Sequence, residues 1–150
     1  MSKPKRRAAL VLAALLLAPT APAQAPASSP TMKQLMLDLI HPAANDILLT
    51  VSRGGPSDDK EWASLRHNAL TLSESGTLLM TQGQSGSDAK DEGWRKAAKL
   101  LSDAGSDAYK AAQSKDAKAL PAITARIDAS CTNCHKQFRP NVFPRQGVGQ

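Results

Sequence analysis

Apolar residues recur at steps of three and four along four stretches of the chain, and this period predicts amphipathic α-helices. The second stretch shows it over the longest run, with an apolar face formed by Trp62, Leu65, Ala69, Leu72, Gly76 and Leu79. Short polar or glycine-containing runs at 53–56, 83–87 and 113–116 separate the stretches. Four such helices joined by short loops alternate in direction. The pattern therefore predicts an all-α fold, an antiparallel up-down-up-down four-helix bundle.

The other helices carry similar stripes with different interruptions. Apolar faces run through Trp94, Ala97, Leu101, Ala104 and Ala108 in the third helix and Leu120, Ile123, Ile127, Cys131, Cys134 and Phe138 in the fourth. Pro140 ends the fourth helix, and Ser57 is the expected N-cap of the second. Pro42 lies inside the first helix and removes the backbone hydrogen bond to the carbonyl of Asp38, so we expect a kink there.

A different pattern precedes the helices. A basic stretch is followed by eleven consecutive apolar residues at 8–18 and then by small residues ending at Ala23. This order is typical of a secretory signal peptide, cleaved after Ala23 or, alternatively, after Ala25. Eleven helical residues span about 16 Å, against about 30 Å for the bilayer core, so we expect no permanent membrane anchor.

The domain organisation follows from these boundaries. We predict a signal peptide at 1–23, a flexible lead-in rich in Ala, Pro and Ser at 24–30, the helical domain at 31–140 and a C-terminal tail at 141–150. A cleaved signal peptide implies export, and the predicted location is the periplasm.

Charge and composition exclude several function classes. The formal net charge of +6 falls to +2 once residues 1–23 are removed, because fifteen basic residues then face thirteen acidic ones. Without a concentrated basic surface, nucleic acid is not an expected partner. The chain shows no Ser/His/Asp arrangement, phosphate-binding loop or pair of catalytic carboxylates, so we do not expect an enzyme.

The two cysteines of the chain carry the strongest chemical signal. Cys131 and Cys134 are followed directly by His135 in the sequence CTNCH. Cys-x-x-Cys-His is the attachment signature of c-type haem, in which two thioethers fix the porphyrin and the histidine binds the iron. A structural zinc site normally needs four ligands, and only His41 and His67 would remain to complete one.

Two further readings of the cysteine pair are weaker. A thioredoxin-like pair belongs near the start of a helix in a βαβ unit, whereas this pair lies late in a helix. A disulfide across two residues closes a very short loop and constrains the unfolded chain little. We therefore predict one covalently attached haem c. Because both cysteines continue the apolar face of the fourth helix, the haem is expected inside the bundle.

These features together resemble class II cytochromes c, the cytochrome c prime family and its low-spin methionine-ligated relatives. The resemblance rests on CTNCHKQFRP near the C-terminus and on a Leu-Met pair, Leu35 and Met36, in the first helix, and it covers about residues 31–140. It implies that His135 is the proximal iron ligand and that the first helix meets the other haem face. Pro42 and about two extra residues around it depart from the family pattern. The resemblance also suggests a homodimer formed through the first two helices.

The sixth iron ligand decides the function. In the family, low-spin members place a methionine opposite the proximal histidine and gas-binding members a non-coordinating side chain. Met36 is the preferred distal ligand and Met32, one turn earlier in a first turn expected to fray, is the alternative; both could also be core filler. His41 is interpreted as structural, and His67 as solvent-facing.

Two functions follow from this choice. With histidine and methionine ligands the protein is expected to carry single electrons between redox partner proteins of a periplasmic chain. With an open iron it would instead bind NO or CO. Arg139 is expected to pair with a haem propionate, while Lys136, in a segment without acidic residues from Ala129 onward, attracts an acidic partner.

Overall fold

The computed structural model describes residues 30–83 and 90–141. The helices are α1, which combines the stretches Met32–Gln34, Leu35–Ile40 and His41–Ser52, then α2 at Asp59–Gln82, α3 at Glu92–Ser114 and α4 at Leu120–Phe138. Within the described ranges there is no strand, so the all-α prediction is confirmed. The predicted signal peptide, nearly all of the lead-in and nearly all of the tail lie outside the described residues. None of the described helices is long and apolar enough to cross a membrane.

The helices form a ring in which each contacts the next along the chain and α4 returns to α1. The pairing of α3 with α4 shows their direction. Asp107 of α3 binds Arg126 of α4 at 2.7 Å, whereas Trp94, near the start of α3, meets Phe138, at the end of α4, with ring centroids 5.2 Å apart. Because residue numbers rise on one helix as they fall on the other, the two helices are antiparallel.

Helices α2 and α3 approach each other most closely, at two glycines. A Cβ atom on Gly76 would lie 2.5 Å from the backbone nitrogen of Ser102, and one on Gly105 would lie 2.5 Å from that of Ser73. The absent side chains let the two backbones nearly touch. These pairs also run in opposite directions, and together with the α3–α4 pairs they confirm the predicted bundle.

The predicted apolar faces form the core, although not over their full length. On α2 the buried face comprises Leu65, Ala69, Leu72, Gly76 and Leu79, as predicted, while Trp62 is partly exposed. On α4, Ile127 is fully buried, but Cys131, Cys134 and Phe138 farther along the same stripe are only partly buried. The core therefore opens at the C-terminal end of α4.

The start of α2 differs by one residue from the prediction. Asp58, not Ser57, is the N-cap, and its carboxylate accepts the backbone N–H of Glu61 at 2.8 Å. Ser57 instead donates its own N–H and hydroxyl to the Glu61 carboxylate. Either side chain can cap a helix, so the local pattern did not separate the two positions.

The break expected at Pro42 takes the form of a π-helical turn. Residues Leu35–Ile40 are π-helical, and the N–H of His41 reaches back five residues to the carbonyl of Met36. Pro42 then occupies the first turn of the following α-helical stretch, where a missing N–H is tolerated. The interruption thus adds a residue to one turn of α1.

Candidate functional site

A large cavity lies where the core opens, between α1, α3 and α4. Its volume is about 650 Å³, within the range of roughly 300–1,000 Å³ typical of small-molecule and cofactor sites. From α4 the lining includes Cys131, Cys134 and His135, and from α1 it includes Met32 and Met36. The structure thus brings the predicted attachment residues and both candidate distal ligands to one cavity.

The α4 wall holds three chemically active side chains on adjoining turns. Both cysteines are partly buried, and they form no disulfide with each other. Burial raises the pKa of the Cys131 and Cys134 thiols, and the negative charge of Asp128 raises that of Cys131 further. Burial, assisted by the positive charge of Arg139, lowers the pKa of His135. The imidazole is therefore held neutral around neutral pH, which is the form that binds a metal ion.

The α1 wall presents both methionines, each partly buried. The first turn of α1, which was expected to fray around Met32, carries a cap. Thr31 and Gln34 form a capping box in which the backbone N–H of Thr31 donates to Gln34 at 2.9 Å and the Thr31 hydroxyl accepts the N–H of Gln34 at 3.3 Å. This reciprocal pair satisfies amides at the helix start, which argues against fraying there.

Two aromatic residues complete the cavity, and sequence reasoning assigned both only to the core. Trp94 is 3% exposed, and its indole N–H donates to the carbonyl of Leu79 at 2.7 Å. Phe138 meets the Trp94 ring edge-on, with 77° between the ring planes. Both residues line the cavity. An apolar residue on a helix face carries no signal that distinguishes a cavity wall from closed core, so this role was not predictable.

The two basic residues predicted near the haem lie in different places, and so do the two remaining histidines. Arg139 lines the cavity together with Lys33 of α1, whereas Lys136 is exposed outside the lining. His41 is exposed and also borders the cavity, while His67 is exposed on α2 away from it, as predicted. Among residues 30–83 and 90–141, no three side chains of His, Cys, Asp or Glu come together as a metal cluster.

Comparison with known sequence families gives a match to the family described as Cytochrome C', over residues 31–139. The chain belongs to the cytochrome c′ family. Its members are c-type cytochromes that bind haem c covalently, carry electrons or bind gases, generally lack enzymatic activity and are typically periplasmic. No curated protein and no solved structure shows significant similarity to the chain.

The cavity of this cytochrome c′ family member fits a covalently attached haem. Two thiols one helical turn apart and a neutral imidazole form one wall, and apolar side chains such as Trp94, Leu101 and Ile40 form most of the remainder. Lys33 and Arg139 add positive charge at the lining, where haem carboxylates can be paired. The donor set and the apolar walls both suit this cofactor.

Proposed function

We propose that this cytochrome carries single electrons in the periplasm through one haem c with histidine and methionine ligands. In this proposal Cys131 and Cys134 form the thioether bonds, His135 is the proximal iron ligand and Met36 is the distal ligand, with Met32 as the alternative. One observation supports the proposal above all others. The attachment motif on α4 and both methionines on α1 line the same cavity.

Each of these side chains has a distinct task in electron transfer. The neutral imidazole of His135 would hold the haem iron from the α4 wall, and a methionine thioether from the α1 wall would hold it as well and keep out water and gases. The haem would supply the one-electron chemistry, and a methionine ligand would raise its reduction potential. Because both ligands belong to helices held in a packed bundle, the site needs little reorganisation when an electron arrives or leaves.

Positive charge around the cavity supports the choice of partner. We assign Arg139, which lines the cavity, to a haem propionate. Lys136 is exposed one residue after His135, so it is free to attract an acidic surface of a redox partner protein. Export behind the signal peptide predicted at 1–23 would bring the protein to such partners in the periplasm.

A gas-binding function is the second candidate, and the composition of the α1 wall favours it. Leu37 and Ile40 line the cavity beside the methionines. If one of these apolar side chains covered the iron instead of a thioether, the sixth position would be open to NO or CO.

Optical spectra of the purified holoprotein in both oxidation states distinguish the two functions. A low-spin spectrum with a weak methionine-to-iron band at the red end supports the electron carrier. Met36→Ala is then expected to give a five-coordinate haem that binds CO rapidly and has a lower potential. Met32→Ala is the matched control and leaves the spectrum nearly unchanged.

The opposite outcomes are equally clear. If only Met32→Ala changes the spectrum, the ligand is Met32. If neither variant does, methionine ligation is wrong and the gas-binding function replaces the electron carrier, unless His41→Ala changes the spectrum.

A further inference from the structure

The two methionines share the direction of Ala44 because the helix is not regular. Met32, Met36, Ile40, Ala44 and Leu48 line the cavity and follow one another at steps of four, with Lys33, Leu37, His41 and Asn45 lining it beside them. In a regular α-helix each residue turns by about 100°, so Met36 would lie about 80° from Ala44, and Met32 about 120° from it. Neither methionine would then share the cavity-facing direction of Ala44.

The π-helical turn at Leu35–Ile40 removes this discrepancy. A turn closed by hydrogen bonds over five residues contains one residue more than an α-turn, so the accumulated rotation falls by about 100°. Met36 and Met32 are then each within about 20° of the direction of Ala44. The extra residue accordingly rotates the start of α1 until both methionines face the cavity.

Burial on the core side agrees independently with this rotation. Leu35 and Ile40 are 1% and 4% exposed, although they are five residues apart. On a regular α-helix two such residues point about 140° apart and do not share a buried face. Leu37 and Leu39, within the same turn, are 57% and 43% exposed. The π turn thus serves the core and the cavity together.

Pro42 explains why the extra residue is absorbed at this place. Its nitrogen has no hydrogen to donate to the carbonyl of Asp38, and its ring clashes with that carbonyl in an α-helix. The preceding amide, that of His41, instead bonds to Met36. We propose that the extra residue absorbed beside Pro42 positions both methionines: through the π turn it aims Met32 and Met36 at the cavity. The ligand role of these methionines rests on the proposed function, whereas the direction in which they point does not.

A register experiment on α1 in the holoprotein tests this proposal. The first variant lacks Asp38, which is exposed, and carries Pro42→Ala, so that α1 can become a regular α-helix one residue shorter. The angle around the helix axis between the directions of Met36 and Ala44 is then the same as in the wild type. The matched variant carries Pro42→Ala and one additional alanine after Asp38, which turns both methionines away by at least about 80°.

Two readouts separate this proposal from the proposed function. A methionine-selective oxidant followed by mass spectrometry reports how well Met32 and Met36 are covered, with Met80 of α2 as the internal reference. The optical spectrum reports whether a methionine binds the iron. We expect the deletion variant to match the wild type in oxidation rates and spectrum. We expect the insertion variant to oxidise Met32 and Met36 several-fold faster than the wild type, while Met80 is unchanged.

The contradicting results concern oxidation and folding. The proposal is overturned if the deletion variant exposes either methionine several-fold or fails to fold, because a regular helix of that length should pack as the wild type does. It is equally overturned if the insertion leaves both methionines covered. A wild type without methionine ligation would refute the proposed function alone: only one of the two methionines can bind the iron, so the oxidation rate of the other reports its direction whatever the ligand is.

Discussion

The two sides of the bundle are built in opposite ways. Between α2 and α3 the backbones are so close that a Cβ atom on Gly76 or Gly105 would come within 2.5 Å of a backbone nitrogen. Between α1 and α4 a cavity of about 650 Å³ separates the walls. The α2–α3 side is closed by direct backbone contact, whereas the α1–α4 side encloses a cavity with mostly apolar walls.

The contrast explains how so few aromatic residues suffice for this core. Aromatic residues form only 3% of the chain. At the α2–α3 interface, glycine and alanine let the two backbones approach closely, so large side chains are not needed to fill the space. On the opposite side a porphyrin would provide the large flat apolar surface. The haem is then a part of the core as well as the cofactor, so its removal should affect the two sides unequally.

The largest expected effect comes from removing haem attachment with Cys131→Ala and Cys134→Ala together. At about 24 cal/mol per Å³, an empty cavity of this size would cost at most about 16 kcal/mol, an upper bound because it opens to solvent. That bound reaches the whole stability of an ordinary domain, about 5–15 kcal/mol. We expect α1 to lose amide hydrogen-exchange protection while α2 and α3 keep most of theirs.

The control for this prediction keeps both thiols. Asn133→Ala changes an exposed position between the cysteines and should retain attached haem and wild-type exchange. Equal loss of protection in all four helices of the haem-free variant would show that the two sides are not independent in the way described.

The next effect tests the close side. Gly105→Ala places a methyl group against the backbone of Ser73 and Ala69, which cannot rotate aside, and should destabilise the protein by about 1–3 kcal/mol. Gly93→Ala is the matched control, because the closest atom to its Cβ belongs to the flexible Gln137 side chain. Its expected change is within about 1 kcal/mol. Urea unfolding of both variants measures the difference, and equal stability would refute the close packing.

The smallest effect concerns the ion pair that joins α3 to α4. The hydrogen bond from Arg126 lowers the pKa of Asp107, and Lys110 lowers it further. A depressed pKa contributes stability above the ordinary pKa of aspartate, and this stability is lost as pH falls through the folded value. Because both partners are more than one third exposed, Asp107→Asn should cost less than about 1 kcal/mol at neutral pH and nothing once the carboxylate is protonated.

Asp103 offers a comparison for that ion pair, since it binds Lys99 within α3 and joins no two helices. Asp103→Asn should change stability less than Asp107→Asn at neutral pH. Unfolding curves at neutral and acidic pH check both statements, and a difference for Asp107→Asn that persists in acid would contradict the assignment.

The sequence predicted the helix faces and the cofactor better than it predicted the details of the α2–α3 interface and of α1. Periodic apolar residues such as Leu72 and Ile127 identified the helix faces, and CTNCH identified the cofactor, because both signals are local. The apolar face of α2 correctly placed Gly76 in the core. It could not show why a glycine is needed there, because that depends on how closely the backbone of α3 approaches. Pro42 marked an interruption, but whether α1 would kink or absorb a residue depended on burying Leu35 and Ile40 together.

Tryptophan fluorescence lifetimes in the holoprotein test most directly whether the haem occupies the α1–α4 cavity. The chain has two tryptophans. Trp94 lines the cavity, and its indole N–H donates to the carbonyl of Leu79 on α2. Trp62 lies on α2 seventeen residues before Leu79, a distance of about 25 Å along the helix. Trp62→Phe leaves Trp94 as the only emitter, and Trp94→Phe leaves Trp62. Since energy transfer to haem falls steeply with distance, we expect a much shorter lifetime for Trp94 than for Trp62. Equal lifetimes, or a shorter one for Trp62, would place the haem elsewhere and contradict the account.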